Sequence, residues 1–299
     1  MSELADPSVL SYYAQPDVMT RGGGDADLLD GLPREPAALC EVVQGLLLHQ
    51  HWAPAYGVTL SEERKQQVQI RPVSEMLRCI RAIDDRPLTD ARPLERRLIG
   101  NCRHFSTFLC GILRHQGVAA RARCGFGAYF VGGSFEDHWV CEYWNTAQSR
   151  WVLVDAQLDA LQRAALKTSF DVLDVPRDQF LVAGEAWQRC RRGAADPQRF
   201  GIFDMRGMWF IRGNVVRDLA ALNRIELLPW DAWGLMSKTE GDVSPEDLAA
   251  LDRVAVLTLG DNGAVTELRS TYEGDARWRV PKVIRSYTET GERLVALPQ

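Results

Sequence analysis

The spacing of hydrophobic and polar residues predicts two helices in the N-terminal third of the chain. The segment REPAALCEVVQGLLLHQHW, residues 34–52, places apolar side chains three and four residues apart, which is the spacing of one helical face. We expect this helix to pack on the core. The segment PVSEMLRCIRAI, residues 72–83, repeats the pattern, and Pro72 stands where a proline fits a helix start.

A third helix is predicted in GNCRHFSTFLCGILRHQG, and it begins at a cysteine. Phe105, Leu109 and Ile112 follow Cys102 at helical spacing, so the cysteine shares their buried face, and Gly117 ends the helix. The first N–H groups of a helix lack intrahelical partners and carry the positive end of the helix dipole, which stabilises a thiolate. Burial destabilises the thiolate, and the local sequence does not show which of the two effects is larger.

After this helix the chain shows the two-residue period of β-strands. Three segments carry the period: ARARCGFGAYFV at residues 120–131, EDHWVCEYW at 136–144 and RWVLVDA at 150–156. The polar turn NTAQS separates the last two segments, which therefore predict a hairpin.

The register of this hairpin decides which side chains meet. If Trp144 lies opposite Trp151, Val140 faces Asp155, and His138 shares the face of Val140. Asp155 is then the diagonal cross-strand neighbour of His138, with backbones roughly 7–8 Å apart. A shift of one residue would destroy this arrangement.

The remaining half of the chain is mainly helical in pattern. Helices are expected at about 176–191, 206–223 and 244–256, and the last forty residues are ambiguous between helix and strand. The fold class that follows is α+β, with helices before the strands and a mostly helical C-terminal extension after them.

Composition and charge exclude several classes of function. The chain is 46% hydrophobic and has a net charge of −5, so it has no general attraction to nucleic acid or to anionic membranes. The N-terminus lacks the blocks of a signal peptide, and no run of about 18 apolar residues occurs. The seven cysteines are scattered without a C-x-x-C pair, which favours a reducing compartment. We expect a cytoplasmic protein without a metal ion or cofactor.

The candidate chemistry lies in Cys102, His138 and Asp155. Each residue alone has a structural explanation: a buried filler at a helix start, a core histidine and a residue bonding a turn. Together they provide a thiol nucleophile, an imidazole that can generate the thiolate, and a carboxylate that holds the imidazole tautomer. Their order, on a helix and then on two strands with compatible face parity, favours a catalytic triad.

This order resembles the transglutaminase-like superfamily. In that papain-like core a helix-start cysteine packs against an antiparallel sheet that carries the histidine and then the aspartate. The resemblance covers about residues 95–160, and it implies Cys102 as nucleophile, His138 as general base and acid, and Asp155 as the group that orients the imidazole. It also implies that the Cys102 backbone N–H helps to hold the oxyanion.

Two features depart from the family pattern. Bacterial members often carry an acidic residue two places after the cysteine, where this chain has His104. Two positions along a helix correspond to about 200° of rotation, so His104 should point away from the thiol and should not replace His138. The second departure is the long C-terminal part, which the minimal core does not require.

Composition, periodicity and the resemblance together predict a domain plan. Residues 1–34 are rich in Gly, Pro and Asp and are expected to form a loosely ordered arm or loop with one short helix. Residues 35–165 would form the catalytic core with its N-terminal helices, and residues 166–299 a mainly helical extension packed on that core.

The activity implied is acyl transfer through a thioester on Cys102, with hydrolysis of an amide or peptide bond as the first expectation. The substrate would be a peptide, an amide or a small acyl compound. Two alternatives stay open: amide formation by acyl transfer to an amine, and a non-catalytic binding module on the same fold.

The tryptophans of the C-terminal half are candidates either for packing in the core or for a wall over such a site. Five of the nine tryptophans lie there, and we interpret them as packing anchors. Because pockets favour junctions between structural units, an alternative hypothesis makes Trp230, Trp233 or Arg212 part of a wall over the triad.

Overall fold

The computed structural model describes residues 6–260, 265–288 and 291–298. The α-helices are α1 (Pro7–Tyr13), α2 (Pro36–Leu46), α3 (Glu62–Lys65), α4 (Val73–Ile83), α5 (Cys102–His115), α6 (Ala160–Leu166), α7 (Ala183–Arg191), α8 (Met208–Leu222), α9 (Pro245–Leu257) and α10 (Val265–Gly274). The strands are β1 (Leu47–His49), β2 (Leu98–Gly100), β3 (Ala120–Gly127), β4 (Phe135–Asn145), β5 (Arg150–Val154), β6 (Phe180–Val182), β7 (Phe200–Ile202), β8 (Met205–Arg206), β9 (Asp231–Ala232), β10 (Val283–Thr288) and β11 (Gly291–Ala296). The predicted α+β class is confirmed.

Contacts along the chain define two compact units that interleave in sequence. We name Leu10–Ala122 with Val140–Val175 the N-terminal unit. We name Met1–Val9 with Arg123–Trp139 and Pro176–Gln299 the C-terminal unit. Strands β3 and β4 each contribute residues to both units. Because the units interleave, they do not test the sequential domain boundaries, which stay predictions.

The two N-terminal helices are present, and one boundary needs correction. As predicted, α4 begins directly after Pro72. By contrast, α2 ends at Leu46, because Leu47–His49 forms β1 and pairs in parallel with β2. Three consecutive leucines suit a buried strand as well as a buried helix, so the apolar pattern could not place this boundary.

The segment before α2 has more regular structure than the expected loose arm, although residues 1–5 lie outside the described residues. It contains α1 and a 3-10 helix at Gly23–Leu29, and both Tyr13 and Leu29 are buried. The Tyr13 ring packs edge-on against Trp151, with 5.7 Å between centroids. Tyr13 and Leu29 are isolated apolar residues in a segment rich in Gly, Pro and Asp, so the sequence pattern does not reveal that they are buried.

The predicted hairpin register is confirmed. β4 and β5 are antiparallel, with Trp144 opposite Trp151 and Cys141 opposite Val154. The two tryptophan rings meet edge to face at 5.7 Å between centroids. Such cross-strand aromatic pairs stabilise a sheet and help to hold its register.

Helix α5 is buried along nearly its whole length, including its polar residues. Arg103 donates a 2.6 Å hydrogen bond to the Arg71 carbonyl, and the Ser106 hydroxyl donates a 2.7 Å bond to the Val140 carbonyl on β4. These bonds satisfy polar groups that would otherwise be costly to bury. Around them lies an apolar core that includes Leu39, Val43, Leu46, Val73, Met76, Leu77, Ile80, Phe105, Phe108, Leu109, Ile112, Cys141, Val152 and Val154.

The C-terminal unit contains the helices predicted near residues 206–223 and 244–256, as α8 and α9. The helix expected from residue 176 begins only at Ala183, because Phe180–Val182 forms β6 and pairs with β3. The strand order of the sheet that contains β6 is β6-β3-β4-β7-β8, and β5 pairs with β4. The described part of the ambiguous C-terminal segment forms α10 and the β10–β11 hairpin.

A buried ion pair links β3 and β4 in the N-terminal unit. Arg121 donates from Nε to Glu142 Oε2 at 2.5 Å, and both side chains are buried. The guanidinium also lies over the Trp151 ring, 4.1 Å from its centroid. Removing one partner of such a pair leaves a buried charge without compensation, which is more costly than removing both.

The first prediction concerns this pair. Glu142→Leu should lower the free energy of unfolding by about 3–5 kcal/mol, because Arg121 stays charged in the core. The double variant Arg121→Met with Glu142→Leu should recover much of the loss. Urea denaturation of the two variants and the wild-type protein checks both expectations.

The exposed pair between Glu75 and Arg78, 2.7 Å apart on α4, provides the matched control. Glu75→Leu should change the unfolding free energy by less than about 1 kcal/mol. A Glu142→Leu protein as stable as this control would contradict the prediction.

Candidate active site

Cys102 is the first residue of α5, as the sequence predicts, and it is 7% exposed. Asn101 is the N-cap, and its backbone N–H donates to His104 Nδ1 at 3.2 Å. Gly100 is needed directly before this cap, because a Cβ there would lie 2.9 Å from the His104 Cβ. The Gly-Asn-Cys sequence therefore places the thiol in the first turn of the helix.

His104 completes this helix start. Its Nε2 lies 2.9 Å from the Ile70 carbonyl oxygen, which can only accept, so Nε2 carries the proton. Burial and the nearby Arg103 cation lower the pKa of His104 to about 3. The imidazole is therefore neutral at physiological pH, and its contacts give it a structural role at the start of α5.

His138 lies on β4 in the C-terminal unit and is 2% exposed. Three aromatic rings of the same unit surround its imidazole. Phe130 is nearest, with 4.7 Å between centroids, followed by Tyr129 at 5.9 Å and Phe180 at 6.3 Å, all in edge-on contacts. The imidazole is therefore in contact with three aromatic side chains of its own unit.

Asp155 directly follows β5 in the N-terminal unit and is 1% exposed. Its backbone N–H donates to the Val172 carbonyl at 2.9 Å, and its Oδ1 accepts the Gln157 backbone N–H at 3.1 Å. These bonds hold both the backbone and the carboxylate of Asp155 in place.

The confirmed β4–β5 register reaches Cys141 opposite Val154, one residue short of Asp155. His138 lies three residues before Cys141 on β4 and belongs to the C-terminal unit, whereas Asp155 belongs to the N-terminal unit. The hydrogen-bonded series from the Cys102 thiol through His138 to Asp155 stays a prediction.

A small polar pocket lies beside Phe105, one turn after Cys102, within the N-terminal unit. Tyr56 donates to Asp159 Oδ2 at 2.6 Å, and Gln162 donates to the Tyr56 hydroxyl at 3.1 Å. Burial and the bond to Asp159 raise the pKa of Tyr56. The wall consists of Gln44, Leu47, Leu48, His49, Tyr56, Arg97, Phe105, Gln157, Asp159 and Gln162.

The sequence signals for these surroundings are weak, for two different reasons. Asp159 accepts the Gln162 backbone N–H at 3.0 Å as the N-cap of α6, and the D-x-x-Q pattern could have indicated that cap. The rings around His138 had no local signal, because Phe130 and Phe180 come from segments about fifty residues apart in sequence.

Trp233 and Arg212, considered above for a wall over the triad, have packing contacts within the C-terminal unit. The Trp233 indole N–H donates to the Trp278 carbonyl at 2.8 Å, and both side chains are buried. Arg212 donates to the Lys238 carbonyl, and burial lowers its pKa. These bonds agree with the interpretation of Trp233 as an anchor.

The described residues contain no group of three or more His, Cys, Asp or Glu side chains that could hold a metal ion. Every helix among these residues is too short or too polar to span a lipid bilayer.

Comparison with known proteins gives one match. The family model of the transglutaminase-like superfamily matches residues 76–156, which contain Cys102, His138 and Asp155. The predicted resemblance is therefore confirmed over this segment. Members of the superfamily generally catalyse cysteine-dependent acyl transfer or hydrolysis. Neither the curated proteins nor the solved structures gave a significant match.

The second prediction concerns His104 and acid stability. Its pKa is lowered in the folded state, so between pH 6.5 and about 3 only the unfolded state binds the extra proton. Stability should therefore decrease as the pH falls through this range. His104→Gln removes the titration, so the wild-type free energy of unfolding should fall more steeply, by about 1.4 kcal/mol per pH unit well below pH 6.5.

Urea denaturation of both proteins at pH values from 7 down to about 4 measures these slopes. Carboxylates titrate in both proteins, so the difference between the two slopes isolates His104. Parallel slopes would show that His104 is not the neutral cap described above.

Proposed function

We propose that this protein is a cysteine-dependent acyl-transfer enzyme that hydrolyses an amide or peptide bond, with Cys102, His138 and Asp155 as its catalytic triad. The observation that carries the proposal is the position of Cys102 as the first residue of a buried helix, inside the segment that matches the superfamily model.

Cys102 is the nucleophile in this proposal. The helix start stabilises the thiolate through the dipole, and the Cys102 backbone N–H is available to the oxyanion of a tetrahedral intermediate. The thiolate attacks the substrate carbonyl carbon and forms a C–S bond. Collapse of the intermediate breaks the C–N bond and leaves a thioester on Cys102.

His138 moves the proton in both half-reactions. It takes the thiol proton as the thiolate forms, and then gives this proton to the departing amine. In the second half-reaction it takes a proton from water, which attacks the thioester carbonyl. Breaking the C–S bond releases a free acid, and the proton returns to the Cys102 thiolate.

Asp155 is the group that orients the imidazole. A carboxylate that accepts the imidazole N–H holds the required tautomer and stabilises the imidazolium. The bond from the Gln157 backbone N–H to Asp155 Oδ1 supports this role, because it limits the orientations of the carboxylate. One strand register, confirmed for β4 and β5, underlies the expected approach of His138 and Asp155.

The third prediction uses thiol alkylation by iodoacetamide as a function of pH. Cys102 should react faster than Cys79 at pH 7, because His138 can take the thiol proton as the thiolate forms. His138→Gln should slow this reaction at pH 7 by at least about tenfold. Mass spectrometry of the cysteine-containing peptides measures each rate.

Cys79 provides an internal control in the same sample. It is partly exposed on α4, and burial raises its pKa, so it should react slowly at pH 7. If Cys102 reacts no faster than Cys79, and His138→Gln changes nothing, the non-catalytic binding module becomes the better explanation.

The fourth prediction separates hydrolysis from transfer. The wild-type protein and Cys102→Ala are incubated with peptide and metabolite extracts, and the products are compared by mass spectrometry. We expect free acids that form only with the wild-type protein, and about 10²–10⁴-fold less product with His138→Gln. New amides without matching free acids would overturn the hydrolase assignment in favour of an amide-forming acyltransferase.

A further inference from the structure

The β10–β11 hairpin gives the C-terminal unit an open sheet edge. The strand order of this sheet is β11-β10-β9, so β10 has a partner on both sides and β11 has a partner on one side. Among the described residues, no strand pairs with the outer side of β11. Five of its six residues are exposed, and Leu294 near its centre is 71% exposed. The backbone N–H and C=O groups on the outer side can therefore pair with another strand.

One hydrogen bond shows which residues of β11 face β10. The Leu297 backbone N–H donates to the Lys282 carbonyl at 2.9 Å, in continuation of the β10–β11 register. Hydrogen-bonded and non-bonded residue pairs alternate along an antiparallel ladder, so every second residue of β11 turns its backbone groups towards β10. Counted from Leu297, these residues are Val295, Arg293 and Gly291. The residues whose backbone groups point to the open edge, which we name the outward residues, are Ala296, Leu294 and Glu292.

The other neighbour of β10 gives the same assignment. The Tyr287 backbone N–H donates to the Trp230 carbonyl at 2.9 Å, next to the pairing of Ser286 with Asp231 on β9. Tyr287 therefore directs its backbone groups towards β9 and away from β11. Its cross-strand partner on β11 is Glu292, so these two residues form a non-bonded pair, and the backbone groups of Glu292 point outward.

The outward residues fit a second copy of the same strand. In an antiparallel pair, hydrogen bonds form only where outward residues of both strands lie opposite one another. With Leu294 opposite Leu294 of the second copy, Glu292 of each copy lies opposite Ala296 of the other. Three residue pairs then form across the edge, and each pair exchanges two backbone hydrogen bonds. All the outward residues of both strands are used.

The neighbouring registers are less favourable. With Leu294 opposite Glu292 of the second copy, Arg293 lies directly opposite Arg293, and like charges in that position are destabilising. With Leu294 opposite Ala296, Glu292 lies opposite Pro298, which has no N–H to donate. A shift of one residue would set outward residues against residues that face β10. The register centred on Leu294 is therefore favoured by both hydrogen bonding and charge.

The side chains of the edge also suit this pairing. Val283 and Tyr287 of β10 share the face of Leu294, and they are 50% and 47% exposed. The Glu292 carboxylate pairs with Arg285 at 2.6 Å, so its charge beside the edge is compensated. Unpaired edges are commonly protected by charged side chains or proline, whereas Leu294 lies near the centre of this one. Contact between two Leu294 side chains would remove apolar surface from water.

We propose that β11 is the contact surface of a homodimer, in which the β11 strands of two copies pair in antiparallel orientation with Leu294 on the two-fold axis. The two three-stranded sheets then form one continuous sheet of six strands. The same residues contribute from both copies, as in an isologous interface. Because the outward residues complement themselves in one register, the edge fits a second copy better than an unrelated extended chain.

Sedimentation equilibrium of the full-length protein tests the dimer. Between about 1 and 100 µM, the weight-average mass should rise from 33.6 kDa towards twice that value, because association follows mass action. Leu294→Lys puts two cations directly opposite one another and should raise the dissociation constant at least about tenfold. Leu294→Glu should weaken association in the same way, through two anions.

Mixing the two variants tests the register. Leu294→Lys and Leu294→Glu should associate with each other, because the ammonium of one copy then lies opposite the carboxylate of the other. This recovery requires position 294 to lie opposite itself. Val256→Lys is the matched control, since it adds the same charge at an apolar residue of α9 that is 57% exposed, and it should dimerise like the wild-type protein.

Each contrary result identifies what is wrong. A wild-type protein that stays monomeric at about 100 µM would overturn the dimer and favour a different extended chain as the partner of the edge. A dimer that persists in Leu294→Lys, or that is lost in Val256→Lys, would place the interface elsewhere. A mixture that stays monomeric would overturn the register. Circular dichroism checks the folding of each variant, and Ala296→Pro, which removes an outward N–H, replaces a Leu294 variant that does not fold.

Discussion

The antiparallel register of β4 and β5 is the constraint on which the candidate site depends. Side chains alternate along a strand, so a slip of one residue would exchange the two faces of β4. The Trp144–Trp151 pair holds this register, and Cys141 and Val154 are consequently both in the core. The same register brings the Val140 carbonyl to the Ser106 hydroxyl of α5. Strand pairing and helix packing therefore support one another.

The start of α5 depends on backbone space as much as on hydrogen bonding. Gly100 leaves room for the His104 side chain, and the neutral His104 in turn closes the helix start at Asn101. Neighbouring residues thus have separate roles: Gly100 leaves space, Asn101 caps the helix, Cys102 carries the thiol, and His104 supplies a structural imidazole. It also explains how a buried, neutral histidine can occupy the third position of this helix.

Local chemistry accounts for the features that the sequence predicts well. Pro72 before α4, Gly117 after α5 and the alternation in β4 and β5 each act over a few residues, so their signals are readable without tertiary information. β6 and the β7–β8 hairpin contain two or three residues per strand, and they form because β3 and β4 offer partners far away in sequence. The contact of Phe180 with His138 depends on the distant pairing of β6 with β3, so the sequence pattern could not indicate it.

The interleaving of the two units has a consequence for synthesis on the ribosome. The core of the N-terminal unit includes Leu39 and Phe108, but also Cys141, Val152 and Val154. A nascent chain that has emerged only as far as Ala122 therefore exposes apolar surface that its own residues cannot yet cover. Chains in this state are prone to aggregation, so the interval before β5 emerges is where a chaperone would matter most.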